Sequence, residues 1–364
     1  MKRARTASLA FALLIAAAAC GSSGGHPAAS APAGSPTTVA PKITTVRLLT
    51  HSSFAASKDV LAAFTRETGY KVKLVQPGDA GVMVNEAILR RNDPVADALF
   101  GVDNTFLTRA LDAGIFEPYV APGLGSVPAA LRVDPQHRVT PIDDSDVCVI
   151  DDKSWFGHDG RPPAPTTLDD LTDPRYKNLT VVENAATSSP GLAFLLETIA
   201  RKGESGWTGY WRALKQNGVH VDDDWTTAYE SDFTAGGGGG DRPIVVSYGS
   251  DPVADVVGSS PHRDTPKVGV LASTCFRQME FAGVLHGAHN VAGAQALIDF
   301  MLTRRFQDDM PLQMYVNPIV AGAQPPAVYR KWVVDPPGAS SIDPAVISAK
   351  RNDWIREWTD LVVR

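Results

Sequence analysis

Short apolar segments alternate with amphipathic segments along most of the chain, and this alternation constrains the fold more than any other feature. The run TVRLL at 45–49 predicts a strand, and the apolar residues of 57–68 recur at helical spacing before a stop at Gly69. A strand at 71–75, a helix at 83–91, a strand at 96–100 and a helix at 105–113 follow. Strand–helix–strand units of this length predict a mainly parallel sheet covered by helices.

The same rhythm returns in the second half of the chain. It predicts strands and helices at 180–182, 191–201, 206–216, 244–248, 252–257, 292–302 and 343–361. A chain of 364 residues, 44% of them hydrophobic, is long enough for two α/β units with separate cores. Two such units favour a small-molecule site at the interface between them, with hinge closure around the ligand.

The N-terminus has the pattern of an export signal. Basic residues within positions 2–5 precede an apolar stretch at 7–19 that is too short to span a membrane. Cys20 follows small residues, as in a bacterial lipobox, so we expect a lipid on Cys20; the alternative is plain secretion with cleavage near the alanines. We therefore assign 1–19 to a signal peptide and 20–43, rich in Gly, Ser, Ala and Pro, to a flexible tether.

The charge of the chain limits the classes of ligand it can bind, and its cysteine content bears on disulfide formation. The net charge is −6, and no run of five basic residues occurs, which excludes nucleic acid as a partner and is compatible with a cationic ligand. Beyond Cys20, two cysteines remain, Cys148 and Cys275. In an oxidising compartment they either form a disulfide or stay as separate buried thiols.

Several catalytic and metal patterns are absent from the sequence. It has no H-E-x-x-H, no C-x-x-C and no acidic calcium loop, and the glycine run at 236–240 lacks the Lys-Ser/Thr of a nucleotide-binding loop. No serine outside the predicted tether lies in a hydrolase elbow. We therefore predict no metal, no cofactor and no catalytic residue, and we keep an exported two-domain α/β hydrolase as the alternative.

Aromatic residues give a more specific signal. Trp225 and Tyr229 are four residues apart and share one face if their segment is helical. Tyr248 ends a predicted strand, where open α/β sheets bind ligands, and Tyr315 lies in a late loop. Each aromatic face that packs on a cation or a flat ring contributes about 0.5–2 kcal/mol to the binding free energy. The carboxylates of Asp103, Asp143 and Glu280 are candidates to complete a cation site.

Seven short segments carry a resemblance between about residues 45 and 320. They are THSSF (50–54), GVDN (101–104), SPGL (189–192), DWTTAY (224–229), VSY with a following Asp-Pro (246–252), QME (278–280) and PLQMY (311–315). In this order they resemble the thiamine-binding proteins of bacterial ABC importers, whose corresponding motifs include Y-D-S-F, G-L-D-N, T-P-G-L and G-W-S-E-A-Y. The sequence departs from that pattern at His51-Ser52, where Tyr-Asp is expected, at Asp144-Ser145, where Tyr-Gly is expected, and at Gln313, where a stacking Trp is expected.

The resemblance implies a fold and a set of contacts. The fold is a two-lobed, type II periplasmic-binding-protein clamshell, with each lobe a mainly parallel sheet flanked by helices and with two crossover strands. It implies lobe 1 at 44–145 plus 275–364 and lobe 2 at 146–274, and it places Cys148 and Cys275 on the crossover strands, within bonding range. The implied ligand contacts are Ser53, Asp103, Ser188, Ser189, Trp225, Tyr229, Tyr248, Asp251, Glu280 and Tyr315.

The resemblance also implies a function without catalysis. The protein would capture thiamine or a thiamine phosphate and deliver it to an ABC permease driven by a separate ATPase. The serines at 188 and 189, at a helix start, would face the hydroxyethyl or phosphate oxygens. The alternative ligands are another small cation or a metal. We expect a monomer, exported and held at the outer face of the cytoplasmic membrane by its lipid alone.

Overall fold

The computed structural model describes residues 44–364. The predicted signal peptide (1–19), the lipidation site Cys20 and the whole predicted tether (20–43) lie outside the described residues. Within 44–364, no helix combines the length and the apolar character that a membrane crossing requires.

The first part of the chain forms one α/β layer. Its elements are β1 (Thr45–Leu49), α1 (Lys58–Thr68), β2 (Lys71–Val75), α2 (Ala80–Leu89), β3 (Ala98–Asp103), α3 (Leu107–Asp112) and β4 (Phe116–Glu117). The Ser57 hydroxyl caps α1 by accepting from the Val60 N–H, and Gly69 ends this helix at a φ of 77°, a left-handed conformation that suits glycine. These elements agree closely with the predicted strands and helices.

The middle of the chain forms a second α/β layer between two long strands. These strands are β5 (Thr140–Asp152) and β9 (Val268–Leu285). Between them lie β6 (Thr180–Glu183), α4 (Ser189–Lys202), α5 (Trp207–Gln216), β7 (His220–Asp222), β8 (Ile244–Tyr248) and α6 (Asp251–Val257). After β9 come α7 (Val291–Met301), α8 (Arg304–Gln307), α9 (Met310–Gln313), β10 (Asn317–Pro318), α10 (Ala327–Trp332) and α11 (Pro344–Trp358).

One curled, mixed sheet joins both layers in the strand order β2-β1-β3-β9-β5-β8-β6-β7. Strands β1, β2 and β3 are parallel, as are β6, β7 and β8, whereas β5 and β9 pair antiparallel with each other and with the adjoining sets. We call the part that contains β1–β3 the first lobe and the part that contains β6–β8 the second lobe. Among the strands of residues 44–364, β5 and β9 pass through both lobes, so they are the crossover strands of the predicted clamshell.

A disulfide links the crossover strands where their pairing is interrupted. The register shifts between Val147, opposite Phe276, and Val149, opposite Leu271. At this shift the Sγ atoms of Cys148 and Cys275 are bonded, and the Cα atoms are 4.2 Å apart. Cys148 and Cys275 lie within three residues of the predicted lobe boundaries at 145/146 and 274/275. The boundaries themselves remain predictions.

The hydrophobic cores follow the lobes, with one exception. A cluster that includes Phe64, Phe100 and Phe306 lies within the first lobe. The larger cluster includes residues of both lobes, and the C-terminal helix α11 contributes to it: Trp358 packs edge-on against Trp211 of the second lobe, with ring centroids 5.5 Å apart. The Arg351 guanidinium of the same helix lies 4.4 Å from the ring centroid of Phe106 in the first lobe. Helix α11 therefore bridges the lobes.

Candidate ligand-binding site

A cavity of about 550 Å³ opens between the two lobes, at the carboxyl ends of their parallel strands. This is the position at which open α/β sheets bind ligands, and the volume suits a small organic molecule. Among the residues that the resemblance implied, the aromatic ones that line the cavity are Trp225, Tyr229, Tyr248 and Tyr315. The polar ones that line it are Ser53, Ser189, Asp251 and Glu280.

The aromatic side chains form a connected cluster. The rings of Trp225 and Tyr229 are stacked, with centroids 5.0 Å apart and planes 16° apart. The ring of Tyr248 is tilted by 58° to that of Trp225 at a centroid distance of 6.3 Å. Trp225 begins the helical turn after β7 and donates its indole N–H to the Ser247 hydroxyl at 2.9 Å. One indole face thus packs on Tyr229, and the orientation of Trp225 is fixed by a hydrogen bond.

The charged groups of the cavity wall are mostly acidic. Carboxylates of Asp79, Glu230, Asp251 and Glu280 line it, together with the imidazole of His51. Within the described residues, the lining contains no Lys or Arg. Burial raises the pKa of Asp251 to about 7, against the opposing hydrogen bonds from Ser247 and from the Tyr248 N–H. The electrostatic character of the cavity therefore favours a cation.

Glu280 lies between a histidine and a second carboxyl group. His51 Nε2 is 3.3 Å from Glu280 Oε1, and Asp143 is opposite Glu280 in the β5–β9 pairing. Burial, and then the charge and hydrogen bond of Glu280, raise the pKa of Asp143 well above its ordinary value, which favours the neutral form of this side chain. Burial lowers the pKa of His51, but the neighbouring carboxylates, Glu280 first, outweigh it and raise the pKa overall. Gly101 makes room for the histidine, because a Cβ there, at φ 97°, would lie 2.3 Å from the His51 ring.

Two of the implied contacts lie behind the cavity wall. Asp103 is fully buried, and its carboxylate accepts from the N–H and hydroxyl of Thr105 at 2.8 and 2.6 Å and from the Gln278 amide at 2.6 Å. Ser188 is also fully buried at the start of α4, and its hydroxyl does not line the cavity. Asp103 therefore acts on the cavity through Gln278, which lines it and also donates to the Ser189 hydroxyl at 3.0 Å.

The two lobes touch at one side of the cavity. Asp79, just before α2 in the first lobe, accepts from the Trp225 backbone N–H of the second lobe at 3.0 Å. The Gly81 N–H donates to the Thr187 carbonyl at 3.0 Å, and a Cβ on Gly81 would lie 2.5 Å from that oxygen. The backbones approach this closely because position 81 is glycine.

Sequence reasoning left several lining residues out of the implied contacts. These are His51, Ser52, Asp79, Gln278 and Met314, among others. Asp79 lies in the short loop between the end of β2 at Val75 and the start of α2, so the rule that ligands bind at strand ends would have identified it. Gln278 carried no comparable signal, because its role depends on its pairing position in β9.

Comparison with known proteins is consistent with this architecture. Residues 93–334 match the family described as bacterial extracellular solute-binding protein. The chain belongs to this family. Its members are extracytoplasmic proteins that bind a small solute and work with an ABC permease, and both the family and the fold are those of substrate-binding proteins.

Individual relatives extend the comparison. The thiamine-binding periplasmic protein of Escherichia coli is 26% identical over 320 residues, which cover 86% of this chain and 92% of that protein. A solved structure of a periplasmic thiamin binding protein has a TM-score of 0.77 at 23% identity, covering 88% of this chain and 96% of that one. The apo ferric ion-binding protein A of Pasteurella haemolytica has a TM-score of 0.67 at 15% identity, covering 87% and 98%. The solute-binding protein is therefore similar both to thiamine-binding and to iron-binding proteins, and its two-lobed fold is that of type II periplasmic binding proteins.

Proposed function

We propose that this solute-binding protein captures thiamine, or a thiamine phosphate, in the cavity between its lobes. One observation carries the proposal: stacked and tilted aromatic rings share a cavity with several carboxylates, and the described lining has no Lys or Arg. Thiamine combines a flat aminopyrimidine with a cationic thiazolium, so it needs ring faces and negative charge together. The relatedness to thiamine-binding proteins supports the same ligand.

Different residues of the cavity would contact different parts of the ligand. The exposed face of the Trp225 indole would stack on one ring of the ligand, and the tyrosine rings would close the sides. The carboxylates of Asp251 and Glu280 would face the thiazolium charge or the pyrimidine amino group. The Ser189 hydroxyl, at the start of α4, would face the hydroxyethyl oxygen. Closure of the lobes around the ligand would exclude water, and each electrostatic contact would then be stronger than in solution.

The ligand would then be delivered to a permease. The protein releases its cargo unchanged, and the permease would be driven by a separate ATPase. We further propose that a lipid on Cys20 holds the protein at the outer face of the membrane, that it acts as a monomer, and that its lobes divide at 145/146 and 274/275.

Ferric ion is the second candidate ligand. The similarity in fold to an iron-binding protein favours it, and the cavity contains carboxylate and phenol oxygens. Such oxygen donors suit hard cations as well as organic ones. The two candidates make opposite predictions about the aromatic rings, because an iron ion makes no stacking contact.

Calorimetric titration of the full chain tests the proposal. We expect thiamine to bind more tightly than thiamine diphosphate, because phosphate charge would face the carboxylates of the cavity. Spermidine, a cation without rings, serves as the control and should bind at least about tenfold more weakly, since it lacks the stacking contribution. Absence of heat with every thiamine form, or tighter binding of ferric citrate than of thiamine, would overturn the assignment.

A further inference from the structure

Three side chains outside the cavity converge on one flank of the second lobe. His220 and Asp222 are two residues apart on β7, so they project from the same face of the strand. Asp232 ends the π-helical turn Thr227–Asp232. His220 Nε2 is 3.2 Å from Asp222 Oδ1 and 3.2 Å from Asp232 Oδ2, and one donor atom of each residue lies within 4.8 Å of the other two.

These distances are those between ligands of a small metal ion. Zinc binds histidine nitrogen and carboxylate oxygen at about 2.0–2.2 Å, so neighbouring ligands of a tetrahedral zinc are roughly 3.3 Å apart. Both contacts of His220 match that separation. A ring nitrogen carries at most one hydrogen, so it donates fully to only one of the two carboxylates, whereas a cation would bind all three groups.

The burial and charge of the acidic side chains also favour a bound cation. The Asp222 side chain is only 10% exposed, and its Oδ2 atom is buried without a hydrogen-bond partner. Within residues 44–364, neither Asp222 nor Asp232 has a Lys or Arg within 4.0 Å. A buried carboxylate without a compensating cation is strongly destabilising. The His220 side chain is 44% exposed, so an ion has a route in from solvent.

We propose that His220, Asp222 and Asp232 bind a divalent transition-metal cation, with Zn²⁺ as the representative ion. One imidazole and two carboxylates fill three positions of a tetrahedral site, and water takes the fourth. No short motif contains this group, because Asp232 lies ten residues beyond Asp222, so the sequence alone predicted no metal. Asp232 closes the turn that carries Tyr229, so the bound cation ties the aromatic cluster of the cavity to β7.

Zinc competition with a chromophoric chelator tests the proposal on the full chain after treatment with EDTA. We expect about one zinc per chain, and at least about tenfold weaker binding for His220→Asn and for Asp232→Asn. His262→Asn is the matched control, because His262 lies 3.4 Å from Asp264 but both side chains are highly exposed. Its zinc affinity should equal that of the wild type. Equal affinity of His220→Asn and the wild type, or an equal loss in His262→Asn, would overturn the proposal.

Hydrogen exchange supplies a second readout that does not depend on thiamine. Zinc should slow exchange of the backbone amides at 225–233 in the wild type but not in His220→Asn, because the cation fixes the turn against β7. Far-UV circular dichroism of the two proteins should coincide, since His220 is partly exposed. Zinc-dependent protection that is confined to other segments, or that persists in His220→Asn, would refute the site.

Discussion

Removal of the Trp225 indole is the most direct test of how the cavity recognises a flat cation. One face of this ring packs on Tyr229, with the ring planes 16° apart, which leaves the other face for a ligand. An aromatic side chain buries about 150–250 Å² in all, so one free face covers roughly 70 Å². At about 25 cal/mol per Å², that area contributes about 1.8 kcal/mol.

The charge of the ligand adds to the apolar contribution. A cation over an indole face gains about 0.5–2 kcal/mol, and part of this gain overlaps with the area already counted. We therefore expect Trp225→Ala to weaken thiamine binding by about 2–3 kcal/mol, which is a factor of roughly 30–150. The hydrogen bond from the indole to Ser247 lies within the protein, so its loss affects orientation more than direct contact.

A short series of variants separates the ring face from that hydrogen bond. Trp225→Phe keeps most of the face but lacks the indole N–H, so its affinity should fall less than about fivefold. Trp155→Ala is the control, because Trp155 is partly buried but does not line the cavity. Calorimetry on the full chains measures all three. The reasoning fails if Trp225→Ala binds thiamine within twofold of the wild type, or if Trp225→Phe loses as much affinity as Trp225→Ala.

Three further predictions concern charge, closure and the disulfide. Burial raises the pKa of Asp251 to about 7, so this side chain becomes negatively charged as the pH rises through 7. Calorimetry should therefore find tighter thiamine binding at about pH 8 than at about pH 6, and Asp251→Asn should show a smaller difference between the two. Gly81→Ala places a Cβ 2.5 Å from the Thr187 carbonyl oxygen of the other lobe and should weaken thiamine binding at least about tenfold in calorimetry. Gly209→Ala, with open space around the new Cβ, should bind like the wild type; equal affinities of the two variants would contradict a role of the Gly81–Thr187 contact in binding. Replacing Cys148 and Cys275 by alanine should lower the free energy of unfolding by about 2–5 kcal/mol in urea titrations, because the bond joins residues 127 apart; an unchanged midpoint and slope would argue against it.

Two patterns identified the short elements. β1 and α1 each have buried and exposed positions and show periodicity, whereas β3 and β8 are buried almost throughout and read as continuous apolar runs. The strands at 45–49 and 244–248 have the predicted bounds, and α1 (Lys58–Thr68) lies within one residue of the predicted 57–68 and ends at the predicted Gly69. The crossover strands are different. β5 is buried along nearly its whole length, polar residues such as Asp143 included, so its sequence neither alternates nor forms a continuous apolar run. Their full lengths therefore had no signature in the chain.

The site was predictable to the extent that strand ends reveal it. The aromatic residues near the ends of β7 and β8 line the cavity, as the position of ligands at strand ends indicates. The same rule does not distinguish a side chain that faces the cavity from one that caps a turn. Asp103 ends β3, yet its carboxylate binds the turn through Thr105, two residues later. The spacing of Asp and Thr is that of a local turn, and only the three-dimensional arrangement decides between the two roles.

The position of the cystine has a consequence for chain integrity. Residues 149–274 hold the parallel strands and principal helices of the second lobe, and both ends of that segment are joined by the Cys148–Cys275 bond. A peptide bond cut anywhere inside this covalent ring, for example in the exposed glycines around 238, leaves both fragments attached to each other. A protein nicked by an extracellular protease would thus keep its mass on a non-reducing gel and separate into two bands only when thiol is added.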